Sequence, residues 1–74
     1  MQEFLELLNG IRPDVDFENT KNLVSGGILK SFDIIQIVGM IDDEYDVKVP
    51  VAELKPENFD SAQALFEMIE RLDD

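Results

Sequence analysis

The stretch Gly27–Pro50, GILKSFDIIQIVGMIDDEYDVKVP, constrains the fold more than any other part of the chain. It opens on a glycine turn, presents one serine, and continues with apolar residues at helical spacing. At about 100° per residue, Ile34, Ile37, Val38, Ile41 and Tyr45 gather on one side of a helix predicted from Ser31 to Tyr45. That side must face a core. Phe32, Ile35, Gln36, Gly39 and Asp43 fall on the opposite side, where exposed Phe and Ile carry a solvation cost unless something binds there. Ser31 suits the N-cap, and Asp33 lies in the first turn, where the helix dipole favours an acid. Gly39 lowers helix propensity by ~1 kcal/mol, which points to close approach by a partner or a neighbouring segment.

The remaining segments supply what this helix packs against. Over residues 2–9, Phe4, Leu7, Leu8 and Ile11 follow the i, i+3, i+4, i+7 template, with Glu3 and Glu6 on the other side. Gly10 and Pro13 are expected to end that helix. Residues 12–30 read as a long loop, of a length that is uncommon unless functional or pinned down. Phe17, Leu23, Val24, Ile28 and Leu29 are the expected pins, and Gly26-Gly27 allows a sharp turn. Val47 and Val49 alternate as a short extended stretch. Residues 51–58 have room for a helical turn between Pro50 and Pro56. A last helix starts at Asp60 or Ser61, where Asp60-x-x-Gln63 matches a capping box, and Ala62, Leu65, Phe66, Ile69 and Leu72 form its buried stripe. The fold class is therefore all-α: one small bundle over residues 1–74, with three long helices, a short fourth, and a long loop between the first two.

Composition narrows the function. With 74 residues there is room for one core and little scaffold for a catalytic cleft. Seventeen acidic residues against six basic give a net charge of −11. That surface repels nucleic acid and anionic lipid and attracts basic patches on other proteins. The absence of Cys rules out disulfides, thiolate nucleophiles and Cys-based zinc sites. The absence of His removes Ser-His chemistry, and Lys30, adjacent in sequence, belongs to no recognisable motif that would make it a base for Ser31. The longest apolar stretch, Ile34–Ile41, is broken by Gln36 and is far shorter than a bilayer span. The N-terminus lacks the basic and apolar regions of a signal peptide. A cytoplasmic monomer with no membrane or nucleic-acid partner is expected, freestanding because it begins at Met1 and contains no linker.

Gly27-Ile28-Leu29-Lys30-Ser31-Phe32-Asp33, the apolar helix after it, and Asp42-Asp43-Glu44-Tyr45-Asp46-Val47-x-Val49-Pro50 together resemble the acyl and peptidyl carrier proteins. Their pattern is G-[LIM]-D-S-[LFM], followed at this interval by E-E-x-F/Y-x-[IV]-x-[IVL]-P. The resemblance extends over nearly the whole chain, including Phe17, Leu23 and the Asp60-Ser61-Ala62 helix start. It implies a carrier-type helical bundle in which Ser31 receives a 4′-phosphopantetheine arm from coenzyme A. A separate Mg²⁺-dependent phosphopantetheinyl transferase installs it. The arm's thiol then holds acyl or aminoacyl groups as thioesters, loaded by a ligase or synthase whose basic patch docks on Phe32, Ile35, Gln36, Gly39, Asp42 and Asp43. The chain would carry cargo without catalysis of its own. Lys30 departs from the family, which nearly always has Asp there, and Ser25 and Gly26 stand where acids are common. The ending VPVAELKPENFDSAQALFEMIERL is more similar to discrete carriers served by amino-acid-activating ligases, such as D-alanyl carrier proteins.

Plainer readings stand beside these. Ser31 also suits a simple helix cap, Phe32 and Ile35 suit a core, and Asp42, Asp43, Glu44 and Asp46 suit a solvated face. An acidic helical interaction module without a prosthetic group is the alternative function. No metal site is expected. Asp42-x-Glu44-x-Asp46 mimics the start of a calcium loop but has Val47 where glycine is needed. Asp14-x-Asp16-x-Glu18 fails the same way at Asn19.

Overall fold

The chain folds as α1 (Gln2–Ile11), a long loop, α2 (Ser31–Tyr45), a 3-10 turn (Val51–Glu53), α3 (Pro56–Phe59) and α4 (Ala62–Leu72) in a computed structural model that describes residues 1–73. There is no strand among the described residues. The all-α bundle expected from the sequence, with three long helices and one short, is the observed architecture.

The first helix runs two residues beyond its expected end, through Gly10 to Ile11. Gly10 has open space around it and does not break the helix. Pro13 sets the boundary, because the residue before a proline is pushed out of the α region: Arg12 adopts φ −134°, ψ 82° while its N–H still donates to the Leu8 carbonyl at 3.0 Å.

The start of α2 falls at Ser31, but Ser31 is the first helical residue and Lys30 is the N-cap. The cap is made from the other direction. Asp33, in the third helical position, accepts the Lys30 backbone N–H at 3.0 Å, which is the return half of a capping box. The Lys30 ammonium has no acceptor to complete the forward half. Asp46 closes the helix in the left-handed conformation, φ 56°, ψ 39°, which Asp tolerates better than most residues. Val47, buried, and Val49, half-buried, then cross the core edge without pairing to a strand.

One core joins the four helices and the long loop. Phe4 and Leu8 of α1, Ile37 and Ile41 of α2, and Leu65, Met68 and Ile69 of α4 meet Phe59 and Val47. Phe4 packs edge-on against Tyr45 at 6.0 Å and tilted against Phe66 at 5.7 Å. Burial, with Glu3 and Glu44 nearby, pushes the Tyr45 phenol upward. The predicted α2 face holds, with Ile34, Val38 and Tyr45 half-buried beside Ile37 and Ile41. Met68 is a buried member of the α4 stripe that the 3.6-residue pattern did not include.

Two capping expectations change. Pro56 begins α3, in the position where its missing N–H costs nothing, and does not merely limit the preceding turn. At α4 the cap is Ser61, whose Oγ accepts the Ala64 N–H at 3.0 Å. Asp60 is not the cap because its carboxylate is bound to the long loop, and Gln63 bonds Glu67 at 2.9 Å.

Candidate functional site: the loop-to-helix junction at Ser31

The loop before Ser31 is pinned as its apolar spacing implies. Phe17, Leu23 and Leu29 are buried, Val24 and Ile28 are half-buried, and Val15 is an additional anchor. Polar contacts then fix the turn. Gly26 N–H donates to Asn22 O at 2.7 Å, Gly27 N–H to Val24 O at 3.0 Å, and Leu29 N–H to Leu23 O at 2.7 Å. Gly27 has φ 79°, a conformation that penalises any side chain. A Cβ on Gly26 would lie 2.5 Å from the Asn22 carbonyl oxygen, so the backbone approach itself needs glycine.

From Leu29 the chain passes through one residue to Ser31. The junction is tied to α1 by Arg12, whose Nη1 donates to Asp33 Oδ2 at 2.8 Å and to the Ile28 carbonyl at 3.2 Å. Nε and Nη2 of Arg12 hold both oxygens of Asp14 at 2.9 and 2.8 Å. These bonds, with Asp14 the strongest, raise the guanidinium pKa and draw the Asp14 carboxyl below the usual range. Asp33 is only 7% exposed, so its charge is turned inward and met by Arg12 and the Lys30 N–H.

Ser31 itself is exposed, and its hydroxyl makes no hydrogen bond among the described residues. Beside it on α2, Phe32 and Ile35 are 69% and 67% exposed; the long loop does not fold over either. Gln36, Gly39 and Asp43 continue the same uncovered face. No segment approaches Gly39: a Cβ there would meet nothing within 4 Å. Asp42 departs from this set. It is half-buried, and both of its oxygens take the Lys48 ammonium at 3.1 Å. Asp42, Asp43 and Asp46 line a shallow open hollow with Gly39 and Met40. Among the described residues no group of three or more His, Cys, Asp or Glu side chains is placed to hold a metal ion. No helix described is long and apolar enough to cross a membrane.

The predicted residues therefore divide into an exposed strip, Ser31, Phe32, Ile35, Gln36, Gly39 and Asp43, and one ion-paired residue, Asp42. The tertiary roles of three residues that build the junction escaped the sequence reading. Arg12 and Asp60 make contacts to residues far away in sequence, which spacing does not encode. Asp33 was legible only as a first-turn acid. Chemically, the arrangement offers an uncommitted hydroxyl on a fixed helix start, flanked by apolar surface and with no base in contact. No family model matches the chain, and no curated protein matches it.

Proposed function

We propose that the chain is a carrier protein whose Ser31 hydroxyl takes a 4′-phosphopantetheine arm, on which acyl or aminoacyl groups travel as thioesters between partner enzymes. One observation carries the reading. The hydroxyl that the Gly27–Asp33 and Val47–Pro50 patterns single out is exposed and, among the described residues, unpartnered, at the end of a tethered loop and beside uncovered Phe32 and Ile35.

The residues present fit a phosphodiester at Ser31. Helical bonding starts at Ile34 N–H to Lys30 O, so the first-turn N–H groups of Ser31, Phe32 and Asp33 have no partner from the preceding turn. They favour an anion outside the helix end. The first-turn carboxylate, Asp33, does not oppose it, since it faces inward onto Arg12. When bound, the arm supplies the terminal thiol that a chain without cysteine lacks.

In this reading a phosphopantetheinyl transferase and a loading ligase or synthase dock on Phe32, Ile35, Gln36 and Gly39, and a basic partner residue meets Asp43. Asp42 contributes once Lys48 yields. The protein works as a cytoplasmic monomer, and an aminoacyl ligase of the D-alanyl type is the favoured loader. The uncovered Phe32/Ile35 strip beside acids also suits an acidic interaction module with no prosthetic group. Transfer from a fluorescent coenzyme A analogue separates the two. The carrier takes label at Ser31 and Ser31→Ala does not. The plain module takes none, and its binding is indifferent to Ser31→Ala but lost on Asp43→Lys.

A further inference from the structure

Asp60 lies between α3 and α4 and is spent on the opposite side of the molecule's chain order. Its Oδ1 accepts the backbone N–H groups of Val24 and Ser25, each at 2.9 Å, and Oδ2 accepts the Ser25 hydroxyl at 3.1 Å. Its carbonyl accepts the Leu23 N–H at 2.9 Å. Three consecutive loop residues are thus held by one residue. Leu23 is the node. Its N–H is on Asp60 and its carbonyl receives the Leu29 N–H, so the turn closes on a point fixed to the α3–α4 junction. Leu29 is buried, and only Lys30 separates it from Ser31. Helix capping does not account for the Asp60 carboxylate, because Ser61 caps the start of α4 and Asp60 closes α3 by its backbone position alone.

We propose that Asp60 is the positioning residue for Ser31, clamping residues 23–25 so that the Gly26-Gly27 turn delivers the serine to the start of α2 in one fixed place. Arg12 and Asp33 hold the same junction from the α1 side at Ile28 and Lys30. Asp60 is the one side chain that bonds the backbone of residues 23–25 among those described. The N–H donors of Ser25 and Val24 also draw the Asp60 carboxyl below its usual range, as charge-assisted bonds should. The clamp stands on geometry alone; its consequence for modification rests on the carrier reading.

The test compares Asp60→Ala, Asp60→Asn and a control, Ile69→Val, in the full chain. Asn keeps an acceptor for both amides and a donor for the Ser25 hydroxyl. Amide exchange followed by NMR should speed up by roughly ten-fold or more at Val24, Ser25 and Leu29 in Asp60→Ala, relative to Leu65–Ile69. Asp60→Asn should return most of the protection, and Ile69→Val should show no loop-specific change. In arm transfer, Asp60→Ala should raise the KM for the protein with kcat held, because only a fraction of molecules presents Ser31 correctly. Exchange that rises evenly over the chain, or stays unchanged at residues 24–29, overturns the clamp. Wild type that takes no arm refutes the carrier reading instead, and the amide pattern still decides the clamp. If Asp60→Ala does not fold, amide exchange in Asp60→Asn decides it: the neutral acceptor should speed exchange modestly and only at Val24 and Ser25, and rates there equal to wild type, or raised evenly over the chain, overturn the clamp.

Discussion

Replacing Gly39 with alanine should stabilise the protein and weaken its partner interaction at the same time. Gly39 sits in the interior of the 15-residue α2, exposed, and a Cβ placed on it meets nothing within 4 Å. No contact is gained or lost, so the change reduces to helix propensity, where glycine is less favourable than alanine by ~1 kcal/mol. For a domain of this size that corresponds to a rise in melting temperature of about 4–8 °C. The measurement is thermal unfolding followed by circular dichroism at several scan rates. On the outer face, Gly39 lies one turn from both Ile35 and Asp43, so the added methyl stands in the middle of the proposed docking strip. On the proposed carrier function, loading of the modified protein by a ligase should therefore fall while the melting temperature rises. A melting temperature that stays level or drops would mean that something crowds Gly39, and the reasoning would fail at its first step. A stabilised variant that loads normally would remove Gly39 from the partner face.

Other perturbations address the junction and the strip separately. Arg12→Ala leaves Asp33 buried with the Lys30 N–H as its remaining partner, and should cost about 2 kcal/mol in denaturant unfolding; a loss near zero would mean the ion pair does not tie α1 to α2. Ser31→Ala should change stability by less than ~0.5 kcal/mol, since Lys30 and not Ser31 is the cap, and a larger loss in the same assay would restore a capping role. Acid should loosen the Asp60 clamp. Its folded-state pKa lies below the unfolded value of about 3.9, so its contribution is present above that value and disappears as pH falls through the folded pKa. Stability measured from pH 6 down to pH 2 should thus fall less steeply in Asp60→Asn than in wild type, and parallel curves would count against it. Phe32→Ala and Ile35→Ala, both on exposed side chains, should leave unfolding nearly unchanged yet reduce ligase loading; normal loading in both would clear the strip of that role.

Much of this architecture was legible because it is periodic. The α2 face from Ile34 to Tyr45 and the pins Phe17, Leu23 and Leu29 follow from apolar spacing alone, as does the exposure of Phe32 and Ile35 on the far side of the wheel. The misreadings of the helix caps concern short polar side chains with several competing partners. Ser31 and Asp60 have the composition of caps, but each cap position was taken by a neighbour, Lys30 with the help of Asp33 in one case and Ser61 in the other. Which acid binds which distant N–H depends on tertiary placement, so neither the Arg12–Asp33 pair nor the Asp60 clamp leaves a local signal. The Gly10 misreading has a simpler source: a glycine tolerates the last turn of a helix, whereas Pro13 forbids its continuation.

The most direct test is intact-mass analysis after incubation with coenzyme A, Mg²⁺ and a promiscuous phosphopantetheinyl transferase, followed by peptide mapping. Wild type should gain a single arm on the peptide containing Ser31, and Ser31→Ala should gain none. Folded wild type that gains no mass, or an arm found at Ser25 or Ser61, would contradict the account.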